Sequence, residues 1–339
     1  MKRIRISSIF AIFAAALVMG AGAQQRIVLG GKAANMLADA VYLFPGVGSR
    51  IVAYASGDQG LGLFLSAIDP TFKSKTSFDK SAGAETFAAF KPDLVILKSM
   101  MKGQLQAPLT AMSIRQLYLN LETPEQYYED IGALGKVLGE EKRAADVVSW
   151  FADHETKIVA RTLKLSAAQK PNVLLMQLSS SGESVWQVPP DSWMQTIMTE
   201  RAGGKAVWKG ANPGSGWATV SVEQIAAWNP DIVCVIDYRG DSSAAAQAFK
   251  KDSRLSSLKA IKTNAVFGFP QDFYSWDQPD TRWILGLTWL AKTAQPSLFK
   301  DISVAATTEE FFKYMYGFDD AKYRSLILSR LHGDVGESF

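Results

Sequence analysis

Short apolar runs recur along the chain, each bounded by turn residues. Arg26-Ile27-Val28-Leu29, Ile51-Val52-Ala53-Tyr54, Leu94-Val95-Ile96-Leu97 and Gln116-Leu117-Tyr118-Leu119 fill the first half. Asn172-Val173-Leu174-Leu175-Met176, Ile232-Val233-Cys234-Val235-Ile236 and Ala265-Val266-Phe267-Gly268 fill the second. Their hydrophobicity is continuous rather than alternating, which predicts strands buried on both faces, as in parallel sheets covered by helices. Helical patterns lie between them. Thr123-Pro124-Glu125-Gln126 reads as a helix start with proline in the first turn, and Tyr127, Ile131, Leu134 and Leu138 then fall on one face. From Glu140 to Lys164 a longer pattern without proline or glycine puts Val147, Phe151 and Ile158 on one stripe. At ~1.5 Å per residue that helix would be about 37 Å long. Strand–helix alternation on both sides of it predicts two α/β lobes with parallel-rich sheets: residues 24–139, a connecting helix 140–164, and residues 165–339. The segment Arg282–Ala291 is apolar nearly all round and reads as a buried helix that claims Trp283 and Trp289 for the core.

One unit is repeated. Glu85-Thr86-Phe87-Ala88-Ala89-Phe90-Lys91-Pro92-Asp93-Leu94-Val95 aligns with Glu223-Gln224-Ile225-Ala226-Ala227-Trp228-Asn229-Pro230-Asp231-Ile232-Val233, six of eleven positions being identical. In each copy a helix ends before a proline and the chain enters a strand. A shared helix–strand junction explains the Pro-Asp pair but does not demand the matched Glu85 and Glu223. The two lobes are expected to share their topology.

Composition narrows the chemistry. Thirty-six basic against 33 acidic side chains give a net charge of +3, with no basic surplus for nucleic acid. One cysteine (Cys234) and two histidines (His154, His332) cannot form an internal disulfide or a thiolate or multi-histidine metal cage. Lys2, Arg3 and Arg5, the apolar run Ile9–Met19 and Ala21-Gly22-Ala23 form an export signal over residues 1–23. Its apolar run is shorter than a membrane span of roughly 20 residues. With no cysteine near the cut, the expected product is a soluble periplasmic protein that is not inserted in a membrane. No nucleophile elbow, phosphate-binding loop, dinucleotide fingerprint or zinc-protease motif occurs. Cys234, inside an apolar strand, reads as a core residue, and no serine–histidine pairing suggests itself. An exported enzyme with an unfamiliar site stays open as the alternative to a binding module.

Ligands of parallel α/β lobes gather at the carboxyl ends of strands. Those ends, Gly30–Asn35, Ser56–Gln59, Lys98–Met101, Ser179–Trp186, Asp237–Arg239 and Phe269–Trp276, nominate Asn35, Lys98, Ser180, Trp186, Tyr238, Arg239, Tyr274 and Trp276 as ligand-binding residues. Aromatic rings offer flat apolar walls, while Lys and Arg suit an anionic group.

The export signal, the two lobes with their long helix, and the repeated Glu-x-x-Ala-Ala-x-x-Pro-Asp-x-Val unit resemble the substrate-binding proteins of ABC importers for ferric siderophores, haem and cobalamin. Phe269–Trp283, Val188–Trp193 and Gly216-Trp217 resemble an iron-complex branch of that family. The resemblance implies a cleft between the lobes, no catalysis and no cofactor. It also implies a monomer that carries a metal complex, with a ferric siderophore or other iron chelate placed first. Oxyanions such as molybdate or tungstate, and nickel chelates, are accommodated by the same fold and stay open. In that family a glutamate on each lobe docks with the permease dimer; Glu85 and Glu223 match those positions. The two histidines do not match the branch that captures bare zinc or manganese.

Overall fold

The computed structural model describes residues 25–57, 63–179 and 185–336. The export signal and Ser180 lie outside the described residues. Five parallel strands form the first sheet: β1 (Ile27–Gly30), β2 (Ile51–Ala55), β3 (Thr76–Phe78), β4 (Leu94–Lys98) and β5 (Gln116–Leu119), in the order β3-β2-β1-β4-β5. The central strands β1 and β4 are buried at every position, as their unbroken apolar runs require, while β2 alternates. The second sheet holds β6 (Asn172–Leu178), β7 (Trp186–Val188), β8 (Lys205–Ala206), β9 (Ala218–Val220), β10 (Ile232–Ile236) and β11 (Val266–Gly268). Its order is β11-β10-β6-β7-β9, with β8 beside β6. Here β7 runs antiparallel to both β6 and β9, so the second lobe is parallel-rich rather than wholly parallel.

The two copies of the repeat are built alike in detail. The helices Ala84–Ala89 and Val222–Trp228 are followed by Lys91 and Asn229, both left-handed at φ 48° and 40°. After the proline, Asp93 Oδ2 accepts the amide of Arg26 at 2.7 Å, and the Asp93 amide donates back to the Arg26 carbonyl at 2.8 Å. Asp231 does the same with Asn172, at 2.7 and 2.8 Å. The aspartate therefore stitches each incoming strand to its neighbour, which is why Pro-Asp recurs. Glu85 and Glu223 take no part in this stitch and are exposed.

Thr123 caps the helix Pro124–Leu138 by accepting the Gln126 amide, and Gly139 ends it at φ 72°. Tyr127, Ile131, Leu134 and Leu138 are all buried on its inner face. The helix Glu141–Thr162 follows at once, 22 residues long, burying Val147, Phe151 and Ile158. It ties both halves of the molecule together. Arg143 donates to the carbonyls of Leu43 at 2.9 Å and Met315 at 3.0 Å. Glu155 accepts from Tyr128 at 2.6 Å and pairs with Arg201, which also reaches Glu125. No helix among the described residues is long and apolar enough to cross a membrane.

Candidate functional site

A cavity of about 770 Å³ lies between the lobes, at the carboxyl ends of both sheets. From the first lobe it is lined by Lys32, Ala33 and Met36 after β1, Lys80 after β3, Lys98 and Met100 at the end of β4, and Glu122 after β5. From the second lobe come Trp193 and Gln195 after β7, Ser215 and Trp217 before β9, Tyr238 after β10, and Gln278 and Pro279 after β11. One wall is thus cationic and the other aromatic.

Lys98 Nζ sits 2.7 Å from Glu122 and hydrogen-bonds the Asn120 carbonyl. Only 2% of Lys98 is exposed, so its charge is already answered by Glu122. The backbone turn carrying that partner is held by Asp130, which accepts the amides of Asn120 and Leu121 at 2.6 and 2.7 Å. Burial pushes the Asp130 carboxyl above its ordinary value. With Lys98 and Glu122 cancelling, the exposed Lys32 supplies a positive charge to this wall.

On the opposite wall Trp217 packs edge-on against Trp193 at 5.9 Å and against Tyr238 at 6.1 Å. The Tyr238 hydroxyl donates to Asp277 Oδ2 at 2.6 Å, and Gln195 donates to the same atom at 2.9 Å. Burial raises the carboxyl of Asp277 and, further, the phenol of Tyr238. Tyr238 therefore presents its ring to the cavity with its hydroxyl already engaged. A smaller pocket of about 340 Å³ shares Trp217 and Tyr238 and is lined by the exposed Arg239.

The structure brings Lys98 and Tyr238 into the main cavity and Arg239 into its annexe. It places three other nominated residues elsewhere. Trp276 is fully buried; its indole donates to Asp272 at 2.9 Å, and its carbonyl lies against the helix Trp283–Ala294. A Cβ at Gly286 would stand 2.2 Å from that carbonyl oxygen, so the glycine is what lets the loop lie on the helix backbone. Tyr274 is 2% exposed and packs 5.1 Å from the Arg282 guanidinium. Trp186 belongs to β7 and packs edge-on against Phe249 at 5.2 Å. All three are core residues, because the loop after β11 turns inward to enclose Arg282 instead of rimming the cleft. Asn35, half-buried, lies against the backbone at Gly57. Lys32, Lys80, Glu122, Trp193 and Trp217 line the cavity but were not nominated; proximity to strand ends could have found Lys32, Trp193 and Trp217 lie in segments that already stood out by their resemblance, and Lys80 carries no local signal.

Residues 68–273 match the periplasmic binding protein family, well over half of the chain. The chain belongs to the periplasmic binding protein family. Molybdate-binding protein MolA of Haemophilus influenzae is 24% identical over 260 residues, covering 70% of each chain. Among solved structures, a periplasmic solute binding protein from Veillonella parvula matches with a TM-score of 0.69 at 22% identity, over 91% of this chain and 94% of that one. MolA bound to molybdate matches with 0.69 at 18%, over 87% and 93%. CeuE of Helicobacter pylori with Ni(II) bound matches with 0.65 at 17%, over 90% and 94%. The TroA-like periplasmic binding protein FepB from Veillonella parvula matches in fold with a TM-score of 0.70 at 20% identity, over 88% of this chain and 93% of that one. Periplasmic binding proteins transport and do not catalyse, so the enzyme alternative falls away, and the compartment is the periplasm.

Proposed function

We propose that this periplasmic binding protein captures a small metal oxyanion, such as molybdate or tungstate, between its lysine wall and its aromatic wall and hands it to a permease dimer. The observation that carries the reading is Lys32, an exposed cation lining the inter-lobe cavity opposite the aromatic wall. The likeness to MolA, in sequence and in fold, supports it. An anionic metal chelate, of iron or nickel, is the second reading. It is favoured by a cavity of about 770 Å³ and by the three rings of its far wall, more room and more apolar surface than a bare oxyanion uses. The likeness of Phe269–Trp283 to an iron-complex branch adds little weight, since that segment is buried and only Gln278 and Pro279 reach the cavity.

Isothermal titration with molybdate, tungstate, sulfate, a ferric siderophore and a nickel–histidine complex tests the choice. Stoichiometric binding of molybdate or tungstate is expected, with a change in tryptophan fluorescence from Trp193 and Trp217. Replacing Lys32 by alanine should weaken it about tenfold, the scale of one lost charge-assisted hydrogen bond. Binding of a chelate alone would move the assignment to the second reading. For docking we assign Glu85 and Glu223. Their helices follow β3 and β9, the two glutamates hold matching places in the two copies of the repeat, and both are exposed, which supports this assignment.

A further inference from the structure

Beneath the cavity floor lies a second group of charges that no solvent reaches. The Arg282 guanidinium is held by Asp272, with Nε 2.8 and 2.9 Å from its two oxygens, and by Asp39, with Nη1 2.6 Å from Oδ2. Asp280 accepts the Arg282 amide at 2.7 Å and brings a third carboxylate to 4.0 Å from Nη1. Asp39, Asp272 and Arg282 are 0% exposed and Asp280 is 1%. The Phe64 ring covers the guanidinium at 4.4 Å. Asp39 comes from the helix Ala34–Val41 of the first lobe and the other three from the second, so this knot spans the lobe junction.

Two features connect the knot to the cavity above. Asp39 lies one helical turn after Met36, and Asp280 directly follows Gln278 and Pro279; Met36, Gln278 and Pro279 all line the cavity. Charge also fails to balance. Three carboxylates meet one guanidinium, their one ion-pair partner among the described residues, and Asp39 Oδ1 and Asp280 Oδ2 find no hydrogen-bond partner there. A sealed site with two surplus negative charges is costly, and it neutralises by holding protons.

We propose that the Asp39–Arg282–Asp272–Asp280 knot is an inter-lobe latch that takes up a proton as the two walls come together, making Asp39 a positioning residue for ligand capture. Parting the lobes lets water reach these carboxylates, which then ionise readily; the closed form is the one that holds the proton more tightly. Linkage fixes the sign: acid favours closure and alkali favours opening. The remaining groups facing Asp39 are the phenols of Tyr127, Tyr274 and Tyr316, all pushed well above their ordinary value by burial and so neutral throughout. Burial likewise pushes Asp39 up to about 7 against the pull of Arg282, and Asp280 well upward.

The test needs no ligand. Spin labels go on Gly103→Cys and Ala244→Cys, exposed early turns of the helices Lys102–Ala111 and Ser242–Lys251 on either side of the cleft. The native Cys234 is buried and does not compete. Between about pH 5.5 and about pH 8.5 the inter-label distance should lengthen, and Asp39→Asn or Asp280→Asn should abolish or shrink that change. Equal distance distributions at both pH values overturn the latch, as does a shift that survives in both variants. Should a variant not fold, the comparison without it decides. The consequence for capture rests on the proposed function, and a molybdate titration separates the two. A pH-dependent shift without molybdate binding overturns the oxyanion and keeps the latch; binding without the shift does the reverse.

Discussion

The cleft and the knot beneath it are both charged, both at the lobe junction, and set to opposite uses. In the cleft Lys98 meets Glu122 one to one, and the Glu122 side chain stays 37% exposed. In the knot Arg282 meets three carboxylates and nothing is left open to water. Water makes the difference: a half-solvated pair tolerates rearrangement and leaves the neighbouring Lys32 for a ligand, whereas a dry cluster shifts its proton affinity. The lesson is that charge at a junction does not by itself mark a binding wall.

The largest effect should come from breaking the knot. Arg282→Leu leaves the carboxylates without their cation and should cost about 3–5 kcal/mol, measured by urea unfolding, whereas Lys32→Ala on the cavity wall should change stability by less than about 0.5 kcal/mol. A similar loss in both would erase the distinction between the two regions.

Stability against pH sharpens it. Asp39 and Asp280 hold protons in the folded chain that the unfolded chain has released above its ordinary value near 4, so the folded state gains less as pH rises from there to about 7. The melting temperature should accordingly fall over that window, less steeply in Asp39→Asn. A slope unchanged by that substitution would remove Asp39 from the titration.

The smallest structural effect belongs to the docking pair. Glu85→Ala with Glu223→Ala should leave the melting temperature and ligand titration unchanged while stopping import in cells. Normal uptake by that double variant would refute the docking assignment.

Much of the architecture was legible because buried strands must be apolar throughout. The runs at Ile27, Leu94, Val173 and Ile232 became the four central strands, and the repeat marked the one local task that Asp93 and Asp231 share; the lobes it suggested to be alike in topology differ, a wholly parallel sheet against one that holds an antiparallel strand. The antiparallel β7 was not foreseen. Trp186, read as the rim of a strand-end loop, pairs instead through its own strand.

The site was only partly legible. A strand's end can be read from its sequence, so Lys98 and Tyr238, nominated from it, do line the cavity. Trp276 and Tyr274 share the same kind of address but turn inward, since their loop must cover a guanidinium contributed from Arg282 and a carboxylate 243 positions away at Asp39. Local pattern determines which segments become strands and helices, because hydrogen bonding and apolar periodicity act over a few residues. Which tryptophan meets a ligand and which lysine keeps its charge depend on partners distant along the chain, and those are settled when the lobes pack and water is excluded.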